Sequence, residues 1–350
     1  MPTGTDDAPR PAEDAPAPPG HPLIGHTLRV VRDPFGPITE RRDYGPVVRR
    51  GVVGRTIYQL NDPADIERVL VGNNDNYREG ELLQRLLGPV TGGGLLTSEG
   101  ERWRTQRHRV EPAFHPDRVA EYAGTMVEYT ERAIADWEDG DGVDVHGEMM
   151  ALTLEIVADA LFDVDLRRTA ADVGPAMDAV MARSESVLHD YLPRWVPTPL
   201  NRRYGRAVET LDGVVADIIE ARRDEGGDDA VSMLLRAEDE AGETMSDEAV
   251  RDEAMTLLLA GHEMTTLALT FTWPLLGRYP GVEATLQEEL DGFDGPPGVA
   301  DIPELPYTDR GIRESMRLYP PVYALLRETI EPGVLGGYRL PGGATVTAGQ

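Results

Sequence analysis

Apolar residues recur at three- and four-residue spacing through most of the chain beyond residue 97, which predicts a succession of amphipathic helices over 98–114, 116–137, 149–162, 171–189, 200–225 and 230–238. The longest candidate runs from Ser246 to Arg278. Ser246 is a good N-cap, and Asp247 and Glu248 complement the helix dipole. Its centre, Met255 to Ala260, is apolar on every side, which predicts passage through a core. Pro274 is expected to kink it late. Another helix is predicted over 307–318, stopped by Pro320-Pro321. Strand signals are few. Residues 47–53 and 55–60 read as two short strands across Gly54, and 338–346 as a hairpin about Pro341-Gly342-Gly343. Asp62-Pro63 opens a helix to about Val71. Residues 22–37 carry turn signals, and 90–97, with Gly92-Gly93-Gly94, reads as a loop. Residues 1–20, rich in Pro, Ala and Asp, read as a disordered lead-in. The prediction is a mainly α fold with small β elements, one domain over residues 21–350.

Composition narrows the class. With no cysteine a disulfide scaffold is excluded, and no run of about 18 apolar residues predicts a membrane span. The first residues have neither a basic nor an apolar region of signal-peptide type, so a cytoplasmic protein is expected. A formal charge of −28 disfavours nucleic acid and anionic membrane as partners. All 34 basic residues are arginine, which together with the acidity predicts a halophile with an arginine-favouring genome.

Three segments could carry chemistry. Glu101 to Arg109 places four arginines on one predicted helix, with Trp103 and Arg107 four apart on one side. An indole N–H beside a guanidinium suits a buried carboxylate; the plainer reading is a solvated helix with surface ion pairs. Ala260-Gly261-His262-Glu263-Met264-Thr265-Thr266 puts glycine and polar groups midway along an apolar helix, a broken local rule of the kind found at functional sites. A zinc-protease motif fails there, because threonine stands at 266 where histidine is needed. Glu314 and Arg317 form an i,i+3 pair, ordinary in itself, followed by Pro320-Pro321 and then Arg327.

In this order the motifs resemble the cytochrome P-450 superfamily of haem-thiolate monooxygenases, and the likeness runs from about residue 18. The segments 19–25 and 111–115 are similar too. The resemblance implies the cytochrome P-450 fold and haem b. It implies that Trp103 and Arg107 bind one haem propionate and Arg327 the other, and that Ala260 and Gly261 lie over the haem face. Glu263 takes the place of the proton-relay acid, and Glu314 with Arg317 that of a structural ion pair. It also implies a small apolar organic substrate, with segments between Ala171 and Leu200 lining access, and a ferredoxin-type or other redox partner docking near Arg102–Arg109. A monomer is expected.

Two departures stand out. The family's iron ligand is a cysteine thiolate near the C-terminus, and these 350 residues contain none; no metal ligand is assigned. The expectation is a chain ending before the cysteine-ligand loop and inactive alone. A non-catalytic remnant or helical binding protein, or a protein split over two chains, are the alternatives. Second, Met264 occupies the usual threonine position, so Thr265 stands with Glu263 as the catalytic candidate, reached through a shifted water chain because a helix turns about 100° per residue. A thioether cannot donate a proton.

Overall fold

Arg10–Pro11 forms β1, followed by a single 3₁₀ turn at Ala12–Asp14. In the computed structural model, which describes residues 8–349 apart from 22–24, 34–35, 37–39, 53, 166–172, 185, 187–188, 190–191, 193 and 239–241, the expected disordered lead-in is therefore ordered from Arg10. Ala12 and Ala15 are buried, and Arg10 stacks its guanidinium 4.2 Å from the ring centroid of Tyr338. Small side chains that fit a closed sheet edge, together with a cation–π contact, outweigh the disorder-prone composition. The first seven residues and Pro22-Leu23-Ile24 lie outside the described residues.

The chain divides into two compact units. The first comprises residues 1–89, 182–197 and 323–350. After α1 (Thr27–Arg32), the segments around Gly54 form β2 (Val47–Val52) and β3 (Arg55–Leu60), antiparallel as expected. Asp62 caps α2 (Pro63–Glu67), accepting from the Ala64 amide at 2.8 Å. β4 (Tyr77–Arg78) and α3 (Gly80–Thr91) follow. Near the end come β5 (Ala324–Thr329), β6 (Gly333–Leu335), β7 (Tyr338–Leu340) and β8 (Thr345–Gly349). They complete a five-stranded sheet ordered β2-β3-β8-β5-β4 and a three-stranded sheet ordered β1-β7-β6. Val47, Tyr58, Leu60, Leu335, Leu340 and Val346 form their shared core.

The expected hairpin over 338–346 is corrected here. β7 pairs with β6 and β1, whereas β8 pairs with β3 and β5. The Pro-Gly-Gly turn carries the chain from one sheet to the other, because each strand finds an apolar partner surface elsewhere. α3 and β5 were not anticipated: Gly88-Pro89 masks the first, and the second exists through its pairing with β8.

The second unit spans residues 90–181 and 198–322. It holds α4 (Gly100–Val110), α5 (Pro116–Ala135), α6 (Val145–Phe162), most of α7 (Val173–Ser184), α8 (Pro199–Glu225), α9 (Ala230–Arg236), α10 (Asp247–Arg278), α11 (Pro280–Leu290) and α12 (Pro306–Leu318). The unanticipated α11 starts on a proline, as helices often do. Residues 166–172 and much of 185–193, part of the expected access segment, lie outside the described residues. Among the described residues, no helix is long and apolar enough to cross a membrane.

α10 organises this unit. The Ser246 hydroxyl accepts from the Ala249 amide at 3.2 Å, and the helix continues for 32 residues. Ala254 to Leu259 are all buried, as the all-round apolar pattern predicts. Its most extensive neighbour is α6, which meets it through Val157 at Gly261 and Thr153 at Thr266. A Cβ on Gly261 would lie 3.1 Å from Val157 Cγ2, so glycine sets how closely the two helices approach.

Candidate functional site

Midway along α10 the burial pattern changes. Leu257, Leu258 and Leu259 are buried, Ala260 is exposed, Glu263 and Met264 are half-buried, and Thr265 is exposed. Ala260 and Met264, four apart, share one face; Thr265 shares a face with Gly261. His262 and Thr266 point the other way, into α6, and both are fully buried. Thr266 Oγ1 lies 2.6 Å from Thr153 Oγ1 and donates to the His262 carbonyl at 2.9 Å. Thr153 Oγ1 in turn reaches the Met149 carbonyl at 2.8 Å. The last of the three positions after Glu263 is thus committed to helix packing.

His262 has no well-formed hydrogen bond at either ring nitrogen. Burial pushes its pKa down to about 4, against weaker upward pulls from the Met150 backbone and Asp178, so the ring is neutral. It is a packing residue with a polar core.

Ahead of α4, the loop after Thr91 lies against α10. Asp252 accepts from the Gly93 amide at 2.7 Å and Glu253 from the Leu95 amide at 3.1 Å. A Cβ on Gly94 would sit 2.2 Å from Thr256 Oγ1, so only glycine permits this approach. On α4, the Gln106 side chain donates to the Gly93 carbonyl at 2.8 Å. The arginine-rich helix predicted here is observed, with Trp103 and Arg107 on one face and the Arg107 guanidinium 5.5 Å from the Trp103 ring centroid. Both are exposed, which leaves an indole N–H and a guanidinium side by side at the surface. Arg104 pairs with Glu101, an ordinary surface bridge.

Glu314 and Arg317 of α12 form the two-pronged pair that the spacing suggests, at 2.7 and 2.6 Å. The Arg317 guanidinium holds the Glu314 carboxyl below its usual range. Nearby, Thr272 donates to the Ser315 hydroxyl at 3.0 Å, tying α10 to α12. In the first unit, Arg327 on β5 donates through Nη1 to Glu79 Oε2 at 2.8 Å and to the Leu326 carbonyl at 2.7 Å.

Sequence reasoning missed Asp252, Glu253 and Thr153. The signal for the first two was present as an adjacent acid pair running into an apolar helix centre; Thr153 carried none.

A long central helix with an open, small-residue patch and a separate Trp-x-x-x-Arg helix define a predominantly helical protein. Residues 16–349 match the family model described as Cytochrome P450, and the chain belongs to that family. It is 38% identical over 334 residues to cyclooctatin synthase of Streptomyces melanosporofaciens, covering 93% of this chain and 72% of that protein. It is 32% identical over 338 residues to pentalenene oxygenase of Streptomyces avermitilis, covering 94% and 75%. The crystal structure of the cytochrome P450DA heme domain superposes with a TM-score of 0.84 at 26% identity, covering 97% of this chain and 77% of that one. Members of the family are oxidoreductase monooxygenases, and the family implies haem b.

The residues present fit the periphery of such a group. Trp103 and Arg107 are donors of the type a propionate needs, and the exposed methyl of Ala260 leaves room for a flat ring against α10. A thiolate for the iron is not among these 350 residues, and among the described ones no cluster of three or more His, Asp or Glu offers another ligand set.

Proposed function

We propose that the protein inserts one atom of O2 into an apolar carbocyclic substrate of terpenoid type. The observation that carries this reading is the open stripe Ala260–Met264, which directly follows the buried run Ala254–Leu259 at the middle of the helix; it is supported by the likeness to an oxygenase named for pentalenene. Bound haem supplies the activation of oxygen. In this reading Trp103 Nε1 and the Arg107 guanidinium would hold one propionate; within its own unit Arg327 is paired with Glu79. Ala260 and Gly261 keep the space over the ring shallow. The Glu263 carboxyl carries protons toward that space. Met264 has no proton to give, and the exposed Thr265 hydroxyl lies about 100° further round the helix, so it serves at most through a water chain. Glu314 and Arg317 hold α12 in shape without touching substrate. Electrons arrive from a ferredoxin-type partner at the Arg102–Arg109 surface, and the protein works as a monomer in the cytoplasm.

Incubating the haem-loaded protein with a reductant, a redox partner and a carbocyclic alkene under ¹⁸O₂ tests this directly. The expected result is an alcohol or epoxide carrying one ¹⁸O. A product labelled only from water, or electron consumption indifferent to every alkene tried, would overturn it.

A further inference from the structure

Glu253 is wholly buried, and its Oε1 has no hydrogen-bond partner. Its other oxygen accepts one bond, from the Leu95 amide at 3.1 Å. Asp252, its neighbour, is well compensated: it accepts from the Gly93 amide and, at 2.8 Å, from Arg251 Nη1. Arg251 also pairs with Asp212 of α8 and donates to the Val90 carbonyl at 2.8 Å. Glu253 lacks such support. A glutamine could accept the same bond from Leu95 without any cost of ionisation, so a purely structural role is poorly served by glutamate here. Carboxyls kept at such cost point to a role beyond packing.

Its position suggests that role. Glu253 precedes Ala260 by seven residues, which is about 20° around the helix and about 10 Å along it. It therefore lies on the face that continues to Ala260 and Met264. The segment it holds lies across this part of the helix, with the Gly93 amide on Asp252, Gly94 against Thr256 and the Leu95 amide on Glu253. We propose that Glu253 is a positioning residue for the ligand seat, holding the Gly92–Leu96 segment as the wall that closes the N-terminal end of the open stripe. This rests on the reading of that stripe as the place where ligand binds.

The grip depends on pH. Burial raises the Glu253 pKa to about 7, the Leu95 amide pulls it down, Asp252 adds to the rise and Arg102 on α4 opposes it. Those are the charged groups facing it, with Arg251 and Asp212 paired beside Asp252; no side chain from Gly92 to Ser98 titrates. The carboxyl binds its proton more tightly when the segment is closed than when it is open and solvated. Closure is therefore favoured at low pH and is lost as pH rises through about 7.

Amide hydrogen exchange on the full chain between about pH 5 and pH 8, corrected for the intrinsic rate, reads this without catalysis. Protection over residues 93–97 should fall about tenfold or more across that range, since one pKa unit is tenfold in the opening equilibrium. In Glu253→Gln the segment should stay protected and the pH dependence should vanish. In Glu253→Ala it should exchange about tenfold faster than in the unsubstituted protein at about pH 5, the factor of one lost hydrogen bond, without pH dependence and with α6 and α10 still protected. Identical profiles for the unsubstituted protein and Glu253→Gln would overturn the anchor. In the haem-loaded enzyme Glu253→Ala should raise KM about tenfold at about pH 5 with kcat nearly unchanged, and Glu253→Gln should keep the low KM at every pH. An unchanged KM alongside altered exchange overturns the link to ligand. If the unsubstituted enzyme does not turn over, the proposed function fails and the exchange result alone decides the anchor.

Discussion

Thr153 and Thr266 offer a measurable test of how α6 and α10 are held together. Both hydroxyls are fully buried and their oxygens are 2.6 Å apart. Each also reaches a carbonyl of its own helix, Met149 for Thr153 and His262 for Thr266. Two hydroxyl protons serve these three contacts, so one proton bridges the helices and the other goes to a carbonyl. Thr266→Val removes the bridge and leaves the Thr153 hydroxyl with its carbonyl alone. The cost is one net hydrogen bond plus an under-satisfied buried oxygen, about 1–2 kcal/mol, and Thr153→Val should cost about the same. The double substitution leaves no polar group in the gap and keeps both volumes. Replacing both partners by apolar groups is nearly neutral relative to losing one, so the pair should cost about as much as either alone, a coupling of about 1 kcal/mol. Urea denaturation of the four proteins, with m-values compared to check a constant unfolded state, gives the cycle. If the double substitution costs the full sum of the singles, each hydroxyl is bonded only within its own helix. The bridging account would then be wrong.

Three further outcomes are expected. His262 is neutral in the fold with a pKa of about 4, below its ordinary 6.5, so stability should fall as pH drops from about 6.5 toward 4. His262→Gln should flatten that acid limb, by up to about 3 kcal/mol, and an unchanged limb in thermal melts would count against it. In the haem-loaded enzyme Met264→Thr should raise product formed per electron consumed, because it restores a hydroxyl on the face shared with Ala260, whereas Thr265→Ala should change the ratio little; the reverse order would make Thr265 the relay hydroxyl. With a formal charge of −28, the melting temperature should rise between about 0.1 and 2 M KCl as screening relieves self-repulsion, and a flat or falling profile would remove the halophile reading.

The helical spacing, the Ser246 cap and the apolar centre of α10 were legible along the chain, because each depends on residues within one or two turns of one another. The same locality made Trp103 with Arg107 and Glu314 with Arg317 readable as pairs before any packing was known. The strands around Gly54 were legible for the same reason, their register being set by the turn that joins them. Only tertiary structure decided where Pro341-Gly342-Gly343 sends the chain, since the edges that β7 and β8 pair with lie far away in sequence. It also decided that Ala12 and Ala15 are core. Nothing in the order of residues tells Thr265 from Thr266; the neighbouring helix does, by offering Thr153 to one and leaving the other exposed. Glu253 shows the division most sharply: its sequence context gives an acid on an apolar helix, and only the loop laid across it removes the water that would have let that acid ionise freely.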